Sequence, residues 1–369
     1  MSQFAYVRSF DGIRAIAVVA VIGKHLSYGM LAGGWAGVDL FFLLSGFLIT
    51  SILLAEAETR GSIALTNFYI RRMLRLLAPI LLTVALGDLL WNVIAQDGTA
   101  DRTIASLSSL FYLANIVQES ILGPFVHLWS LAVEEHFYFL WPLVLSTLLL
   151  RLSYANQVVS LLTAIAFATG LRLYLANHPL SFGLFSFDAY RFSFARMDNL
   201  LMGCLLAIVL QKQDFQFFKS ANTSRLFARL FVYAALLVFL GIVATISSYA
   251  AGWRNGGFLL TNLACLILVV AAINCPDHEL LANRVLQWLG QRSYGLYIYH
   301  YPIYLASESL RTPHDMLNLV WVTVFRIIVS VAVAELSFHY VEIPLLRLKS
   351  KFKNSSIGEG ALLPKPMAT

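Results

Sequence analysis

The 369-residue chain is 59% hydrophobic and only 12% charged, and its mean hydropathy is +0.73. A soluble domain of this length carries about a quarter charged residues, so the composition excludes that class and predicts a polytopic membrane protein. Lys and Arg exceed Asp and Glu by six. This excess falls in a few short loops, which indicates the positive-inside rule rather than nucleic-acid binding. Three scattered cysteines without a CxxC motif predict small buried side chains, not a metal site or disulfides.

Apolar stretches of spanning length predict an all-α bundle of about ten transmembrane helices. The predicted spans are 12–31, 36–55, 74–95, 128–150, 157–175, 196–211, 228–248, 256–273, 292–309 and 317–339. No cleavable signal is evident, because Asp11 and Arg14 interrupt the N-terminal segment, so we expect the first helix to be retained. A transmembrane domain is predicted over residues 1–348, followed by a disordered cytoplasmic tail over residues 349–369.

Basic residues set the predicted orientation. They are concentrated in the loops after helices two, four, six and eight and in the tail: Arg60, Arg71, Arg72, Arg151, Lys212, Lys219, Arg225, Arg229, Arg284, Arg347, Lys349, Lys351 and Lys353. The alternate loops hold Arg102, Arg191, Arg254 and Arg311. Both termini are therefore predicted to be cytoplasmic. Between spans, the stretch LTNFYIRRMLRLLAP reads as an interfacial helix that leads into helix three, and residues 96–127 as an interfacial or re-entrant segment.

Arg14 and His25 are eleven residues apart in the first apolar segment. Eleven residues of α-helix are about three turns, so both side chains leave the same face about 16 Å apart. Such residues in a spanning helix normally face a protein interior or a wet cavity, and histidine exchanges a proton near neutral pH. The pair predicts a membrane enzyme, with Arg14 toward the cytoplasmic side and His25 toward the opposite side.

Arg72 and Arg75 share a helix face at the predicted cytoplasmic surface, because they are three residues apart. Two guanidiniums one turn apart can bind phosphate oxygens, which would suit an acyl-coenzyme A donor. The alternative interpretation is a positively charged anchor that contacts lipid head groups. The spacing alone favours the anchor interpretation.

Three acidic residues are candidates for positioning a histidine. Glu134 and Glu135 begin an apolar helix and point about 100° apart, so one can face the bundle; the alternative is that both lie at the interface. Asp39 lies near the outer end of helix two, close to His25 through a short loop, although it could instead cap the helix start. The glycines and Ser45 around Asp39 favour close helix packing.

The C-terminal part holds further candidates. Tyr297 and His300 lie in a tyrosine-rich helix, and Glu335 and Glu342 lie in ELSFHYVEIP. These tyrosines could line a polar cavity or form an interfacial belt. No HExxH, GxSxG or P-loop pattern occurs, so no metal is predicted.

Taken together, the motifs resemble the acyltransferase 3 family of integral-membrane O-acyltransferases. They recur in the family's order over nearly the whole chain: FDGIRAIAVVAVIGKH, GGWAGVDLFFLLSGFLIT, RMLR, HLWSLAVEEHFYFLWP, RMDNLLMGCLLA, LGQRSYGLYIYHYPI and ELSFHYVEIPLLR. The resemblance implies a bundle of about ten helices that moves an acyl group, usually acetyl, from cytoplasmic coenzyme A to a hydroxyl. Typical acceptors are surface glycans, such as lipopolysaccharide O-antigen or exopolysaccharide, and in some members small molecules such as macrolides.

The resemblance also implies residue roles. His25 corresponds to the essential histidine, Arg14 to its companion, and Arg72 and Arg75 to the donor-side arginine pair. Either Glu335 or Glu342 matches a functional glutamate. The family setting implies the bacterial inner membrane, with acetyl-coenzyme A, a glycan or lipid-linked sugar and membrane lipids as partners.

Two features depart from the family pattern. Asn199 stands where an acid is expected, and many members carry a fused SGNH hydrolase-like domain, whereas this chain has a short tail. The expectation is that it acts alone or with a separate periplasmic partner. Two rival hypotheses are a proton-coupled transporter, disfavoured by the lack of an internal repeat, and an envelope assembly protein built on a decayed enzyme.

Overall fold

A computed structural model describes residues 7–26, 31–94, 100–212, 221–247, 253–312 and 315–349. The predicted tail lies outside these residues, apart from Lys349. In the described part the chain forms helices in this order: α1 (Arg8–Leu26), α2 (Ala36–Arg60), α3 (Leu65–Leu89), α4 (Trp91–Ile94), α5 (Arg102–Leu110), α6 (Glu119–Leu122), α7 (Trp129–Thr147), α8 (Tyr154–Asn177), α9 (Ser193–Lys212), α10 (Ala221–Thr245), α11 (Phe258–Asn274), α12 (Arg284–Gln291), α13 (Ser293–Ala306), α14 (Met316–Ser337) and α15 (Ile343–Lys349).

Short irregular elements join these helices. A 3-10 segment, Gly123–Leu128, leads into α7, and π-helical turns at Trp253–Gly257 and Phe338–Glu342 precede α11 and α15. The strands β1 (Leu180–Phe182) and β2 (Phe185–Phe187) form an antiparallel hairpin after α8. Helices dominate the described part, which confirms the prediction of an all-α membrane bundle.

A helix lies at each of the ten predicted spans, but ten crossings are not confirmed. Five helices are long and apolar enough to span a membrane by length and composition: α2, α8, α9, Arg225–Thr245 of α10, and Met316–Leu345. The shorter α11 is also apolar. Helices α1 and α3 are outside this group because of their charged residues, and these include the candidate site residues.

The segment between helices two and three differs from its prediction. Helix α3 begins at Leu65 and runs to Leu89 without a break, with Pro79 inside it. The amphipathic stretch with the arginines is thus the first part of the same helix, not a separate interfacial one. Within residues 96–127, α5 is nine residues long, too short to span, as expected.

Helices α2 and α9 pack backbone to backbone at two glycines. A Cβ atom added to Gly46 would lie 2.0 Å from the Leu200 carbonyl oxygen, and one added to Gly203 would lie 2.1 Å from the Leu43 carbonyl oxygen. Only a residue without a side chain fits at such a distance, as in other small-residue contacts of membrane helices. The predicted close approach at this motif is confirmed.

A buried ionic network ties α2, α8, α9 and α11 together. Arg196 donates to Asp39 across 2.5 Å, and Arg172 donates to Asp198 across 3.0 Å. All four side chains are at most 1% exposed. Asn262 on α11 donates to the same Asp198 carboxylate, 2.9 Å away. Because charges buried in protein need partners, this network fixes how the four helices pack.

Asn199, which departs from the expected acid, also belongs to this packing. The neighbouring Asp198 is buried against Arg172. Asn199 donates through its side-chain amide to the backbone oxygen of Asp39, 3.0 Å away. Both residues of this motif therefore contribute to the packing of α9 on its neighbours.

Candidate functional site

His25, at the end of α1, meets His300 of α13. Nδ1 of His25 lies 3.0 Å from Nε2 of His300, although 275 residues separate them in the chain. The ring of Tyr301 is edge-on to His25 at 5.0 Å between centroids, and the ring of His127 lies 5.6 Å from that of His300. His300 is fully buried, whereas His25 is partly exposed. A titratable side chain that is held by neighbours and still reached by solvent suits proton transfer.

Tyr297, one turn before His300, connects this cluster to α7. Its hydroxyl donates to the backbone oxygen of His127 across 2.9 Å and also contacts the hydroxyl of Ser130. The His127 ring in turn is bonded through Nε2 to the carbonyl oxygen of Ile298, 3.0 Å away. These bonds hold the Gly123–Leu128 segment and the start of α7 against α13. Tyr297 thus lies inside the bundle rather than in an interfacial belt.

A second cluster contains the arginines of α3. Arg72 forms an ion pair with Glu135 at 3.4 Å and lies over the Tyr138 ring at 3.4 Å from its centroid. Arg75 is exposed, and no hydrogen bond or ion pair joins it to another residue in the described ranges. It is close enough to Arg72 and Arg14 to interact electrostatically. Three guanidiniums at one place, one of them exposed, can bind an anionic group such as a phosphate.

The two adjacent glutamates of α7 point to different neighbours, as their helical spacing predicts. Glu134 accepts a hydrogen bond from Ser45 of α2 at 2.7 Å, and Glu135 pairs with Arg72. Glu134 is also within electrostatic range of Arg14. Both carboxylates therefore face neighbouring helices inside the bundle, not only the interface. Neither glutamate shares a hydrogen bond with the histidine cluster in the described part of the chain.

Asp39 is not the partner of His25 in this structure. Its carboxylate is paired with Arg196 in the buried ionic network, and the imidazole of His25 is held by His300. Asp39 does not cap α2 either, because Trp35 occupies the N-cap position and Asp39 lies within the first turn. The short α1–α2 connection suggested proximity to His25, but the arginine on α9 is a stronger partner for a buried carboxylate.

The structure separates the two C-terminal glutamates, which the sequence could not rank. Glu335 is held by Arg292 and lies 3.7 Å from His339. Glu342, at the end of the π-helical turn, has a buried Oε1 atom without a hydrogen-bond partner among the described residues. Glu342 interacts electrostatically with Arg75. Glu342 is therefore the glutamate that belongs to the arginine cluster.

The two clusters lie at opposite ends of one polar column. Along α1 the column runs from Arg14 to His25, and along α13 from Tyr294, which interacts with Arg72 and Glu135, to His300. Helix α7 runs the other way, and its polar residues pass from Ser130 beside the histidines to Glu134 and Tyr138 beside the arginines. On α13 and α7 these residues are three or four positions apart, so each set lies on one helix face, whereas on α1 the residues from Ala15 to Gly23 are apolar.

His127 and Ser130 are residues that sequence reasoning missed. Both lie in the HLWSLAVEEH segment, one helical turn apart, and their three-residue spacing was the available signal. A second missed group lies nearby: Nδ1 of His136 is 2.7 Å from the hydroxyl of Ser193, which also accepts a hydrogen bond from Asn115 at 2.9 Å. Within the described ranges no group of three or more His, Cys, Asp or Glu residues could hold a metal ion.

Comparison with known proteins agrees with this architecture. A family described as "Acyltransferase domain" matches residues 7–335. The chain belongs to the acyltransferase 3 family. It is 31% identical to YrhL of Bacillus subtilis (strain 168) over 358 residues, which are 92% of this chain and 55% of that protein.

Two further relatives carry functional names. The peptidoglycan O-acetyltransferase OatA of Listeria monocytogenes is 30% identical over 92% of this chain and 56% of its own length. The O-acetyltransferase OatA of Staphylococcus aureus (strain NCTC 8325 / PS 47) is 29% identical over 92% of this chain and 57% of its own length. The chain therefore spans a little over half the length of these relatives. No solved structure matches it.

Proposed function

We propose that the protein is a membrane O-acetyltransferase that moves an acetyl group from cytoplasmic acetyl-coenzyme A to a hydroxyl of an extracytoplasmic glycan. The observation that carries the proposal is the polar column between an open arginine cluster and a held histidine. Membership of the family and the names of the O-acetyltransferase relatives support the same reaction class. The proposal places the chain in the inner membrane with both termini in the cytoplasm.

Donor binding is assigned to Arg14, Arg72 and Arg75. Arg75 is the main phosphate contact because its guanidinium is exposed and has no hydrogen-bonded partner in the described part. Arg72 is held in place by Glu135 and the Tyr138 ring, so its charge is fixed in position before the donor arrives. Coenzyme A supplies a thioester, and the polar column provides a route for it toward His25. Lipid head groups at the same arginines are the alternative occupant.

His25 is assigned as the general base. It takes the proton of the acceptor hydroxyl while the hydroxyl oxygen forms a bond to the acetyl carbonyl carbon. The carbon–sulfur bond then breaks, and the imidazolium of His25 returns the proton to the coenzyme A thiolate. Proton transfer of this kind contributes about 10² to 10⁴-fold in rate. A route through an acyl group carried across the membrane would use the same histidine.

Three glycans are candidate acceptors. The family resemblance implies lipopolysaccharide O-antigen or exopolysaccharide, whereas the relative from L. monocytogenes is named for peptidoglycan. Peptidoglycan is therefore the first acceptor to test, followed by the other two and by small molecules such as macrolides. A separate periplasmic partner that completes the transfer is part of the hypothesis.

The test is acetyl transfer in membranes that contain the full chain, with radiolabelled acetyl-coenzyme A and isolated glycan fractions. His25→Ala is compared with His178→Ala, because His178 is exposed and, among the described residues, its ring contacts only Tyr174, through a hydrogen bond to the backbone oxygen and ring stacking. We expect label in one glycan fraction for wild type and His178→Ala, and a loss of about 10²-fold or more for His25→Ala.

Two outcomes contradict the proposal. Full acetyl transfer by the His25→Ala variant would show that this histidine takes no part in the reaction. Absence of transfer to every acceptor, together with proton-coupled solute flux in vesicles free of coenzyme A, would support the transporter hypothesis instead.

A further inference from the structure

His300 is bonded in a way that fixes which of its nitrogens carries a proton. Its Nδ1 lies 2.6 Å from the carbonyl oxygen of Tyr297 and 3.2 Å from that of Leu296. A carbonyl oxygen can only accept, so Nδ1 of His300 must carry hydrogen. In the neutral ring Nε2 is then an acceptor. A doubly protonated ring would be costly here, because His300 is fully buried among the imidazoles of His25 and His127 and three tyrosine rings, with no carboxylate among these ring neighbours.

The proton position on His25 follows from that of His300. Nδ1 of His25 faces the acceptor Nε2 of His300 at 3.0 Å, so Nδ1 must donate. Nε2 of His25 is left with its lone pair.

We infer that His300 is a positioning residue that holds His25 in the Nδ1–H form, so that Nε2 of His25 is the base for the acceptor hydroxyl. A chain of hydrogen bonds thus runs from the backbone carbonyl through His300 to His25, with an imidazole where other enzymes use a carboxylate next to the catalytic histidine. Because a neutral imidazole stabilises the imidazolium less than a carboxylate does, its main effect is on tautomer and ring orientation. This inference rests on the proposed function for its kinetic consequence but not for the tautomer itself.

The side-chain geometry offers a matched pair of variants. The amide of glutamine can place an oxygen near the position of Nε2, so His300→Gln keeps an acceptor for His25. The shorter asparagine places its amide near Nδ1, so His300→Asn keeps a polar group beside the Tyr297 carbonyl but loses the acceptor. Both substitutions remove the titratable ring, and both leave an uncharged polar side chain in the same buried place. They differ in which contact is kept: the acceptor for His25 in His300→Gln, and the polar group beside the Tyr297 carbonyl in His300→Asn.

The first experiment measures the tautomer without any reaction. The full chain, labelled with ¹⁵N-histidine and placed in lipid nanodiscs, is studied by NMR, and the His25 signals are assigned by their loss in His25→Ala. Protonated and unprotonated ring nitrogens differ strongly in ¹⁵N shift. We expect an Nδ1–H ring at His25 in wild type and His300→Gln, and a mixture of tautomers in His300→Asn. An Nε2–H ring at His25 in wild type would overturn the inference, even if no acetyl transfer had been found.

The second experiment follows the kinetics of acetyl transfer in the same variants. We expect His300→Gln to retain activity within about tenfold of wild type, and His300→Asn to lose about 10²-fold in kcat, which is the low end of general-base effects. The KM for acetyl-coenzyme A should not change in either variant, because the arginine cluster lies at the other end of the column. Equal activity of the two variants would overturn the inference. If wild type itself transfers nothing, the proposed function fails and the NMR result still decides the tautomer.

Discussion

Replacing Asp39 by alanine tests whether this carboxylate stabilises the folded protein or takes part in the acetyl-transfer reaction. In the structure the Asp39 carboxylate is the ion-pair partner of Arg196, at 2.5 Å, with both side chains fully buried. Nε and Nη1 of Arg196 already lack hydrogen-bond partners among the described residues. Without Asp39, the guanidinium would lie against the rings of Phe42, Trp129 and Tyr190, 5.4 to 5.5 Å away, with no carboxylate hydrogen-bonded to it among the described residues.

The expected cost is large because a buried charge would be left uncompensated. Breaking one side of a buried ion pair costs about 3–5 kcal/mol in free energy of unfolding, whereas replacing both charges by apolar side chains of similar size is often neutral. We therefore expect Asp39→Ala to destabilise by about 3–5 kcal/mol, and the double variant Asp39→Leu/Arg196→Met to recover most of it. Asp39→Asn keeps an oxygen acceptor for the arginine and should cost less than Asp39→Ala.

The assay is denaturant-induced unfolding of purified protein in detergent micelles, with acetyl transfer measured on the same samples. Glu279→Gln is the matched control, because it breaks an exposed ion pair. The side chain of Glu279 is 45% exposed and that of its partner Arg229 is 52% exposed. That control should shift the unfolding midpoint far less than Asp39→Ala. If the Asp39→Ala protein has the same unfolding midpoint as the control but no acetyl transfer, the structural assignment is refuted. Asp39 would then be a catalytic residue.

Three further predictions concern the donor site, helix packing and pH. Arg75→Ala should raise the KM for acetyl-coenzyme A by about tenfold or more with little change in kcat, because one charge-assisted contact contributes about 1.5–3 kcal/mol. An unchanged KM in steady-state assays would exclude Arg75 as the phosphate contact. Gly46→Ala should lower the unfolding midpoint strongly because its Cβ would collide with the α9 backbone, whereas Gly170→Ala, with nothing within 4 Å of its Cβ, should be neutral or stabilising. Hydrogen bonds from the α10 arginine lower the pKa of Glu279 to about 2. Its small stabilising contribution should therefore be complete above about pH 4.3 and disappear as pH falls toward 2, and unfolding of wild type and Glu279→Gln compared across that range would show it.

Much of the fold could be read from the chain. Hydropathy placed a helix at each of ten positions because the bilayer sets the length and composition of a spanning segment locally. The predicted boundaries of the third helix were wrong. The amphipathic stretch that carries Arg72 and Arg75 is continuous with the apolar part of α3. An amphipathic helix and an apolar helix have the same backbone geometry. The change in hydropathy along the sequence therefore does not mark the end of a helix.

The candidate site was predicted one helix at a time. Arg14 and His25 on one helix, and Arg72 and Arg75 one turn apart, followed from the helical period. The choice between Glu335 and Glu342 did not, because both are on the same C-terminal stretch and only the position of Arg292 and Arg75 distinguishes them. Position in the chain carries no information about which neighbouring helix a side chain will meet.

The sequence by itself determined that the protein is a helical membrane protein of the acyltransferase 3 family, since hydropathy and ordered motifs are properties of the chain. Only the tertiary structure decided that His25 is held by His300 and that Asp39 belongs to Arg196. Those partners are 275 and 157 residues apart. Secondary structure and membrane insertion depend on local composition, whereas the partner of a buried polar group is decided by which helices pack together and by the cost of leaving that group unpaired.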